Sequence, residues 1–246
     1  MCGRYTFFTP PRIIEKRFHA KVTDTLIPRY NAAPTQLLPV IRDIDGKPRS
    51  VELLSWGLVP SWSTDIRIAS KLINARAETL ADKPSFRNAL KSRRCLVLAD
   101  GFYEWKSNVK PKVPVRITCR DESPFAMAGI WERWVNPVSG EILESFAIIT
   151  VPANETLLPY HERMPAFLQP EHEDIWLDAG VHTQEHLKLL ATYPADKVSI
   201  HVVSARVNDN KHDDAELLTP DSGTTMNITS PLSRYNEPSL FDEEIG

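Results

Sequence analysis

Glycine and cysteine are both scarce in this chain of 246 residues, which has nine glycines and three cysteines. Three cysteines cannot build a disulfide framework, and no CxxC pair or clustered Cys/His spacing indicates a zinc site. The sequence also lacks a glycine-rich phosphate loop, a nucleophile elbow and an internal repeat. It therefore predicts no metal and no cofactor.

Long apolar runs and an excess of positive charge are missing as well. No run reaches membrane-spanning length, and the N-terminus has no apolar core of the signal-peptide type. We therefore expect a cytoplasmic protein with no membrane partner, in a reducing compartment that keeps its thiols free. The formal net charge is −3, so binding to nucleic acid would require a local basic cleft within an acidic molecule.

The residues that are present predict many short elements joined by stiff connections. Hydrophobic residues make up 42% of the chain, enough for a core, and there are 20 prolines. Thr9, followed by prolines, predicts a helix that is capped by Thr9 and runs to about His19. Pro152 begins another helix-like stretch. Apolar or alternating runs predict strands at residues 37–42, 51–56, 95–99, 113–119, 125–131, 145–151 and 198–203, with a hairpin turn at 45–48.

Cys2 has a chemical possibility that the other cysteines lack. Cys95 and Cys119 lie in apolar, strand-like runs, where we expect buried thiols. If Met1 is removed, the chain begins with cysteine and carries a free α-amine beside a thiol. The amine can attack an aldehyde to give an imine, and the thiol can then close onto the imine carbon to form a thiazolidine. An internal cysteine cannot do this, because its nitrogen is an amide.

Each candidate functional residue also has an ordinary structural interpretation. A small residue at position 2 commonly means only that Met1 is trimmed. Trp62 follows a proline in a polar turn and is either an exposed aromatic that stacks on unpaired bases or a partly buried loop anchor. Glu104 lies between aromatics at a strand end and is either a carboxyl with a raised pKa or an exposed residue at a hairpin edge. His161 is held between prolines, and a single histidine is more often a surface residue than a catalyst.

Asn74 and Arg76 interrupt an apolar stretch, which indicates that they point into a polar site. They belong to a series of short motifs that occur in this order: Met1-Cys2-Gly3-Arg4, Arg29-Tyr30-Asn31 with Pro34, Trp56-Gly57-Leu58 with Pro60 and Trp62, Asn74-Ala75-Arg76, Asp100-Gly101-Phe102-Tyr103-Glu104-Trp105 and His161-Glu162-Arg163-Met164-Pro165. Together, over roughly residues 2 to 220, they resemble the SOS response-associated peptidase (SRAP) family, which shields abasic sites in single-stranded DNA.

The resemblance implies a fold and a reaction. The fold is α+β, a single SRAP-type domain at residues 2–220 with a curved, barrel-like, mainly antiparallel sheet and flanking helices. Met1 is removed by the protein itself or by an aminopeptidase. The substrate is the ring-opened aldehyde of an abasic deoxyribose, and the product is a thiazolidine cross-link between Cys2 and DNA. The protein would act as a monomer at the nucleoid.

The resemblance also assigns roles to individual residues. Asn74 would orient the Cys2 terminus, and its amide can both donate and accept. Glu104 would shuttle protons, taking one from the amine and helping to expel water. His161 would protonate the sugar ring oxygen and promote opening to the aldehyde.

The DNA-binding roles fall to basic and apolar residues. Arg4, Arg76 and Arg163 would hold the phosphates that flank the lesion, forming the local basic cleft that an acidic molecule requires. Pro34 and Trp62 would form an apolar wedge against neighbouring bases, which favours single strands or junctions over an intact duplex.

The C-terminal segment carries a further pattern. From about Pro220 the composition becomes polar and then acidic, which predicts a disordered tail at residues 221–246. Within it, Glu237-Pro238-Ser239-Leu240-Phe241 resembles short peptides that bind bacterial sliding clamps, although those peptides usually begin with Gln.

Two other functions fit the same residues. An N-terminal-nucleophile cysteine peptidase would use the Cys2 thiol, activated by its own amine, to cleave amides. A binding module would recognise single-stranded DNA without any chemistry.

Overall fold

The computed structural model describes residues 2–43, 48–106 and 110–219. The turn predicted at residues 45–48 is only partly within these residues, and the predicted tail with its clamp-like motif lies outside them. The strands are β1 (Tyr5–Phe7), β2 (Lys21–Val22), β3 (Arg29–Ala32), β4 (Leu37–Arg42), β5 (Ser50–Trp56), β6 (Asn74–Arg76), β7 (Arg94–Ala99), β8 (Gly101–Lys106), β9 (Val113–Cys119), β10 (Phe125–Val135), β11 (Ile142–Pro152), β12 (Arg163–Pro165) and β13 (Val198–Val202).

Short helices flank the sheets. The α-helices are α1 (Pro11–Phe18), α2 (Arg87–Ser92), α3 (Pro170–Leu177) and α4 (Thr183–Lys188), and 3₁₀ turns occupy Ile66–Lys71, Ala77–Thr79, Ala195–Lys197, Ala205–Asn208 and Ala215–Leu218. Within the described ranges, none of these helices has the length and apolar character needed to cross a membrane.

Strands β4, β5, β7, β10 and β11 close into a barrel-like ring. The order β11–β10–β7–β4–β5 is antiparallel, and β5 then pairs in parallel with β11 at Ser55↔Ser145 and Trp56↔Phe146. Side chains from these strands fill the interior, including Trp56 stacked against Phe146. The α+β class and the curved, barrel-like, mainly antiparallel sheet are therefore confirmed.

A second sheet carries the N-terminus. Its order is β13–β9–β8–β1–β3, and every pairing in it is antiparallel. Strand β1 lies between β3 and β8, so the residues that precede Tyr5 are directed along β8 towards its C-terminal end.

Strand β11 is flanked on both edges near its C-terminal end. Thr150 pairs with Arg76 of β6, which is parallel to β11, and with Pro165 of β12, which is antiparallel.

Gly57 starts the connection that leads to β6: its φ is +121°, and a Cβ there would lie 2.8 Å from the Ala69 carbonyl oxygen. Only glycine fits this turn without strain, because both the dihedral angle and the space exclude a side chain.

The predicted strands are confirmed with shifts of a few residues at their ends, and Cys95 and Cys119 are buried as expected. Two local predictions are wrong. The cap of α1 is Pro10, with no side-chain hydrogen bond, because the Thr9 hydroxyl instead donates to the Asp100 carboxylate. The stretch after Pro152 forms turns rather than a helix.

Candidate active site

Strand pairing brings Cys2 alongside β8. Tyr5 pairs with Phe102, and the Tyr103 backbone N–H donates to the Arg4 carbonyl oxygen at 3.0 Å. Extending this register brings Gly3 level with Glu104. Cys2 is therefore held next to the part of β8 that carries the predicted acid.

Asp100 anchors the residues that follow β1. Its buried carboxylate accepts hydrogen bonds from the backbone N–H groups of Phe8 (2.5 Å) and Thr9 (3.0 Å), and from the Thr9 hydroxyl. The Asp100 N–H in turn donates to the Thr6 carbonyl oxygen at 2.8 Å. These bonds keep β1 in register with β8, and so they maintain the position of the N-terminal residues.

Asn74 contacts Cys2 directly. Its Nδ2 donates to the Cys2 carbonyl oxygen at 2.8 Å, from the start of β6. Its Oδ1 is buried and accepts no hydrogen bond from any residue that the structure describes. The amide therefore grips the backbone of Cys2 with one end and presents an unused acceptor with the other.

The Cys2 thiol is buried. Its Sγ faces the Arg4 carbonyl oxygen at 3.8 Å. Burial raises the pKa of the Cys2 thiol far above its usual value, and the negative charge of Glu104 raises it further. Activated cysteine nucleophiles have depressed pKa values, because nearby positive charge or a helix N-terminus stabilises the thiolate. The site lacks that signature of a cysteine peptidase within the described residues.

Glu104 is buried within β8, with 5% of its surface exposed. The interpretation of Glu104 as an exposed residue at a hairpin edge is therefore wrong. Burial raises the pKa of the Glu104 carboxyl above its usual value. A carboxyl in this environment holds its proton to higher pH than a free glutamate, which suits it to proton transfer.

His161 is half-buried just before β12. Its Nδ1 accepts the backbone N–H of Arg163 at 2.8 Å. A ring nitrogen that accepts a hydrogen bond carries no proton, so the N–H of the His161 ring is on Nε2. His161 can thus donate a proton from Nε2 while its backbone contact fixes the ring.

Glu104 and His161 line one open cavity of about 510 Å³, together with Trp105, Tyr160 and Asn208. The Trp105 indole N–H donates to the Asn208 side-chain oxygen at 2.7 Å and closes part of the wall. The predicted acid and the predicted histidine therefore share a space large enough for a sugar ring.

The three predicted phosphate ligands have different surroundings. Arg76 is exposed at the end of β6. Arg4 is half-buried, and its Nη1 donates to the Asn31 side-chain oxygen at 2.8 Å and to the Val207 carbonyl oxygen at 3.0 Å. Arg163 is largely buried and makes a two-pronged ion pair with Glu78. Only Arg76 is therefore readily available to solvent.

Among the described residues, Pro34 and Trp62, which are predicted to form the wedge, do not line this cavity. Trp62 is 58% exposed, so its interpretation as an exposed aromatic is confirmed. The neighbouring Ser63 carbonyl oxygen accepts the Trp134 indole N–H at 2.6 Å, which anchors the turn that presents Trp62. Pro34 is half-buried in the β3–β4 connection.

Sequence reasoning assigned no role to two residues that organise the site. Asn31 is fully buried in β3, and its Nδ2 donates to the carbonyl oxygens of Val207, Asp209 and His212. It thereby holds the 207–212 segment against Arg4. Glu78 pairs with Arg163 across a separation of 85 residues. The signal for Asn31 is an amide side chain within a short strand. No residue near Glu78 in the sequence indicates that it pairs with Arg163.

Asn74 thus holds Cys2 beside β8, and the buried carboxyl of Glu104 and the ring of His161 line one cavity. Comparison with known proteins agrees with the motifs. The model of the family described as "SOS response associated peptidase (SRAP)" matches residues 1–210. The chain belongs to this family.

Named relatives span most of the chain. Abasic site processing protein YoqW of Bacillus subtilis is 41% identical over 227 residues, which cover 89% of this chain and 99% of YoqW. Abasic site processing protein HMCES of Pongo abelii is 32% identical over an alignment of 271 positions, and the alignment covers 89% of this chain and 76% of HMCES. A crystal structure of a protein from Bacteroides thetaiotaomicron superposes with a TM-score of 0.77 at 30% identity, covering 85% of this chain and 97% of that one.

Proposed function

We propose that this protein senses and shields abasic sites in single-stranded DNA by forming a thiazolidine cross-link through Cys2 after Met1 has been removed. The observation that carries the proposal is the arrangement around Cys2. Asn74 holds its carbonyl group at 2.8 Å, and Glu104 and His161 line the adjoining cavity. The names of the relatives YoqW and HMCES, both abasic site processing proteins, support the choice of substrate.

Removal of Met1 creates the nucleophile. Hydrolysis of the Met1–Cys2 bond consumes one water and leaves a free amine on Cys2. The Asn74 Oδ1, which is buried and unused among the described residues, is the natural acceptor for an N–H of that amine. Asn74 would then hold both ends of the Cys2 backbone, with Nδ2 on the carbonyl oxygen and Oδ1 on the amine.

The sugar must open before it can react. His161 would donate its Nε2 proton to the ring oxygen of the abasic deoxyribose, and the bond between that oxygen and C1 breaks. The C1 hydroxyl becomes an aldehyde, and its proton returns through solvent to Nε2 of His161. The amine attacks C1, and Glu104 passes one amine proton to the former aldehyde oxygen, which gives a carbinolamine. Glu104 then passes the second nitrogen proton to the departing hydroxyl, so that one water leaves and an imine remains.

Ring closure makes the product stable. The Cys2 thiol adds to the imine carbon, its proton passes to the nitrogen, and the five-membered ring contains both atoms. No further water is lost in this step. A thiol with a raised pKa fits this order of events, because the amine attacks first and the thiol only traps the imine.

DNA binding would rest on local charge and stacking. Arg4, Arg76 and Arg163 would contact phosphates beside the lesion, and the binding constant should fall as salt rises. Pro34 and Trp62 would stack against bases and interrupt a continuous duplex. One chain supplies all of these groups, so a monomer acting at the nucleoid is sufficient.

Replacing Trp62 with alanine is expected to weaken binding to undamaged single-stranded DNA about fivefold or more, since stacking on an aromatic side chain contributes about 1–3 kcal/mol per base. The melting temperature should barely change, because the side chain is exposed. Fluorescence anisotropy with a labelled oligonucleotide measures the affinity. The exposed Val138→Ala variant is the control. Equal affinity of the Trp62→Ala protein and the wild type would remove Trp62 from the DNA-binding surface.

One incubation separates the proposed function from its rivals. The protein is mixed with single-stranded DNA that carries one abasic site and is then run on a denaturing gel. A species of protein and DNA that survives denaturation supports the cross-link. Turnover of a peptide substrate without this species would favour an N-terminal-nucleophile peptidase, and salt-sensitive binding without it would favour a binding module.

The clamp interaction remains a separate part of the proposal. Residues 237–241 would dock on a sliding clamp and bring the protein to replicating DNA. A pull-down with purified clamp tests this, and equal capture of the full chain and of a chain that ends at residue 235 would refute it.

A further inference from the structure

The ion pair of Glu78 and Arg163 joins the two strands that flank β11. Arg163 begins β12, and Glu78 follows β6 on the opposite edge. The Arg163 guanidinium donates from Nη1 and Nη2 to the two Glu78 carboxylate oxygens at 2.5 and 2.9 Å, and from Nη2 to the Thr150 carbonyl oxygen at 2.5 Å. Both terminal nitrogens of Arg163 are thus occupied in the free protein.

The exposure of the two partners is unequal. The Arg163 side chain is 10% exposed, whereas the Glu78 side chain is 48% exposed. The carboxylate therefore covers the solvent side of the guanidinium. An anion that approaches from solvent meets Glu78 first and can reach the Nη atoms of Arg163 only if Glu78 moves away.

Arg76 lies on the same edge of β11 as Glu78. It pairs with Thr150, the residue whose carbonyl oxygen Arg163 contacts, and it immediately precedes the 3₁₀ turn that carries Glu78. The ion pair with Arg163 and the nearby charge of Arg76 together lower the pKa of the Glu78 carboxyl, which keeps it charged. Glu78 is thus bound by Arg163, as a phosphate would be, and the charge of Arg76 adds a weaker attraction.

We infer that the Glu78 carboxylate is a built-in substitute for a DNA phosphate: it occupies the phosphate position at Arg163 in the free protein and is displaced when DNA binds. The inference rests on the proposed function, because Arg76 and Arg163 are phosphate ligands only there. Glu78 thereby sets the affinity for DNA. It keeps the largely buried Arg163 charge compensated until a phosphate replaces it, and it makes binding weaker than the arginines alone would give.

The Glu78→Gln variant tests this inference, because it removes the charge and keeps the shape. Arg163 is then left without an anionic partner, so the free protein should melt at a lower temperature. Binding to undamaged single-stranded DNA should become about fivefold tighter, the upper end for exposed ion pairs. The slope of log K against log salt should become steeper by about 0.7, because in the wild type the displaced Glu78 carboxylate takes up a cation that offsets one of the cations released from the DNA.

The control is Glu162→Gln, which removes one exposed carboxylate beside Arg163. Glu162 has no ion-pair partner among the residues described, and its backbone carbonyl, which accepts the Ala153 N–H, is unchanged by the substitution. Fluorescence anisotropy at several salt concentrations measures the affinity of the wild type and both variants for single-stranded DNA. Tightening confined to Glu78→Gln, with the steeper slope, supports the inference.

Other outcomes overturn it. Equal or weaker binding by Glu78→Gln would make the ion pair purely structural. Equal tightening by Glu78→Gln and Glu162→Gln would show only a general effect of local charge. Failure of the proposed function looks different, because the wild type and both variants would then all fail to bind single-stranded DNA.

Discussion

Replacing Cys2 with alanine is expected to abolish the stable adduct with abasic single-stranded DNA. The variant keeps the terminal amine, so it still forms an imine, but without a thiol the imine cannot close to a thiazolidine. Imines hydrolyse, and the complex should fall apart on a denaturing gel. Borohydride added during the reaction should reduce the imine and trap the complex, which shows that the amine remains functional.

The Cys2→Ser variant is the matched control for ring closure. Its hydroxyl is nearly the same size as the thiol but is a weaker nucleophile. It should give an adduct that forms slowly and decays on dilution. A stable adduct of full yield from Cys2→Ala, without borohydride, would mean that another nucleophile forms the cross-link.

Glu104→Gln is expected to slow adduct formation by about 10²- to 10⁴-fold, the range for loss of general acid–base catalysis. Glutamine fills the same volume but cannot carry the proton. The substitution also removes the negative charge that raises the pKa of the Cys2 thiol. That change alone would favour the thiolate and speed ring closure, so a large loss of rate would have to come from proton transfer.

The pH profile should change in a way that a structural defect would not reproduce. As pH falls through the Glu104 pKa, which burial raises above its ordinary value, the carboxylate that accepts the amine proton disappears and the wild-type rate falls. The rate of Glu104→Gln should not show this decrease, and its pH dependence should reflect only protonation of the Cys2 amine. Binding to undamaged DNA should be unchanged, since Glu104 is buried.

The exposed Glu155→Gln variant is the control for loss of one charge. Single-turnover rates with excess protein compare it with Glu104→Gln. Rates for Glu104→Gln within a factor of two of wild type, with the same pH profile, would contradict the proton-shuttle role.

Much of the site could be predicted from the sequence because its chemistry is tied to residue type. Only a cysteine at position 2 can supply an amine and a thiol together, and Asn74 and Arg76 stand out as polar residues in an apolar stretch. The structure adds the contact of Asn74 with Cys2 and the burial of Glu104. Glu104 could not be settled from sequence, because a carboxylate between aromatics is compatible with either environment.

The interactions that sequence could not indicate are those between distant residues. From neighbouring residues alone, the Thr9 hydroxyl is expected to cap the helix. It bonds instead to the buried carboxylate of Asp100, 91 residues further along, which short-range sequence patterns do not reveal. Arg163 shows the same effect, since its charge is compensated by Glu78 in the 3₁₀ turn after β6. Packing across the sheets sets these pairings, and each one changes the environment of a functional residue.

The intact mass of the denatured protein after incubation with single-stranded DNA carrying one abasic site tests the central claim most directly. The account predicts one new species, whose mass equals that of the chain without Met1 plus the DNA, less one water. Imine formation loses that water, and ring closure loses nothing more. A species that retains Met1, or no covalent species at all, would contradict the account, because the amine of Cys2 exists only after Met1 has left.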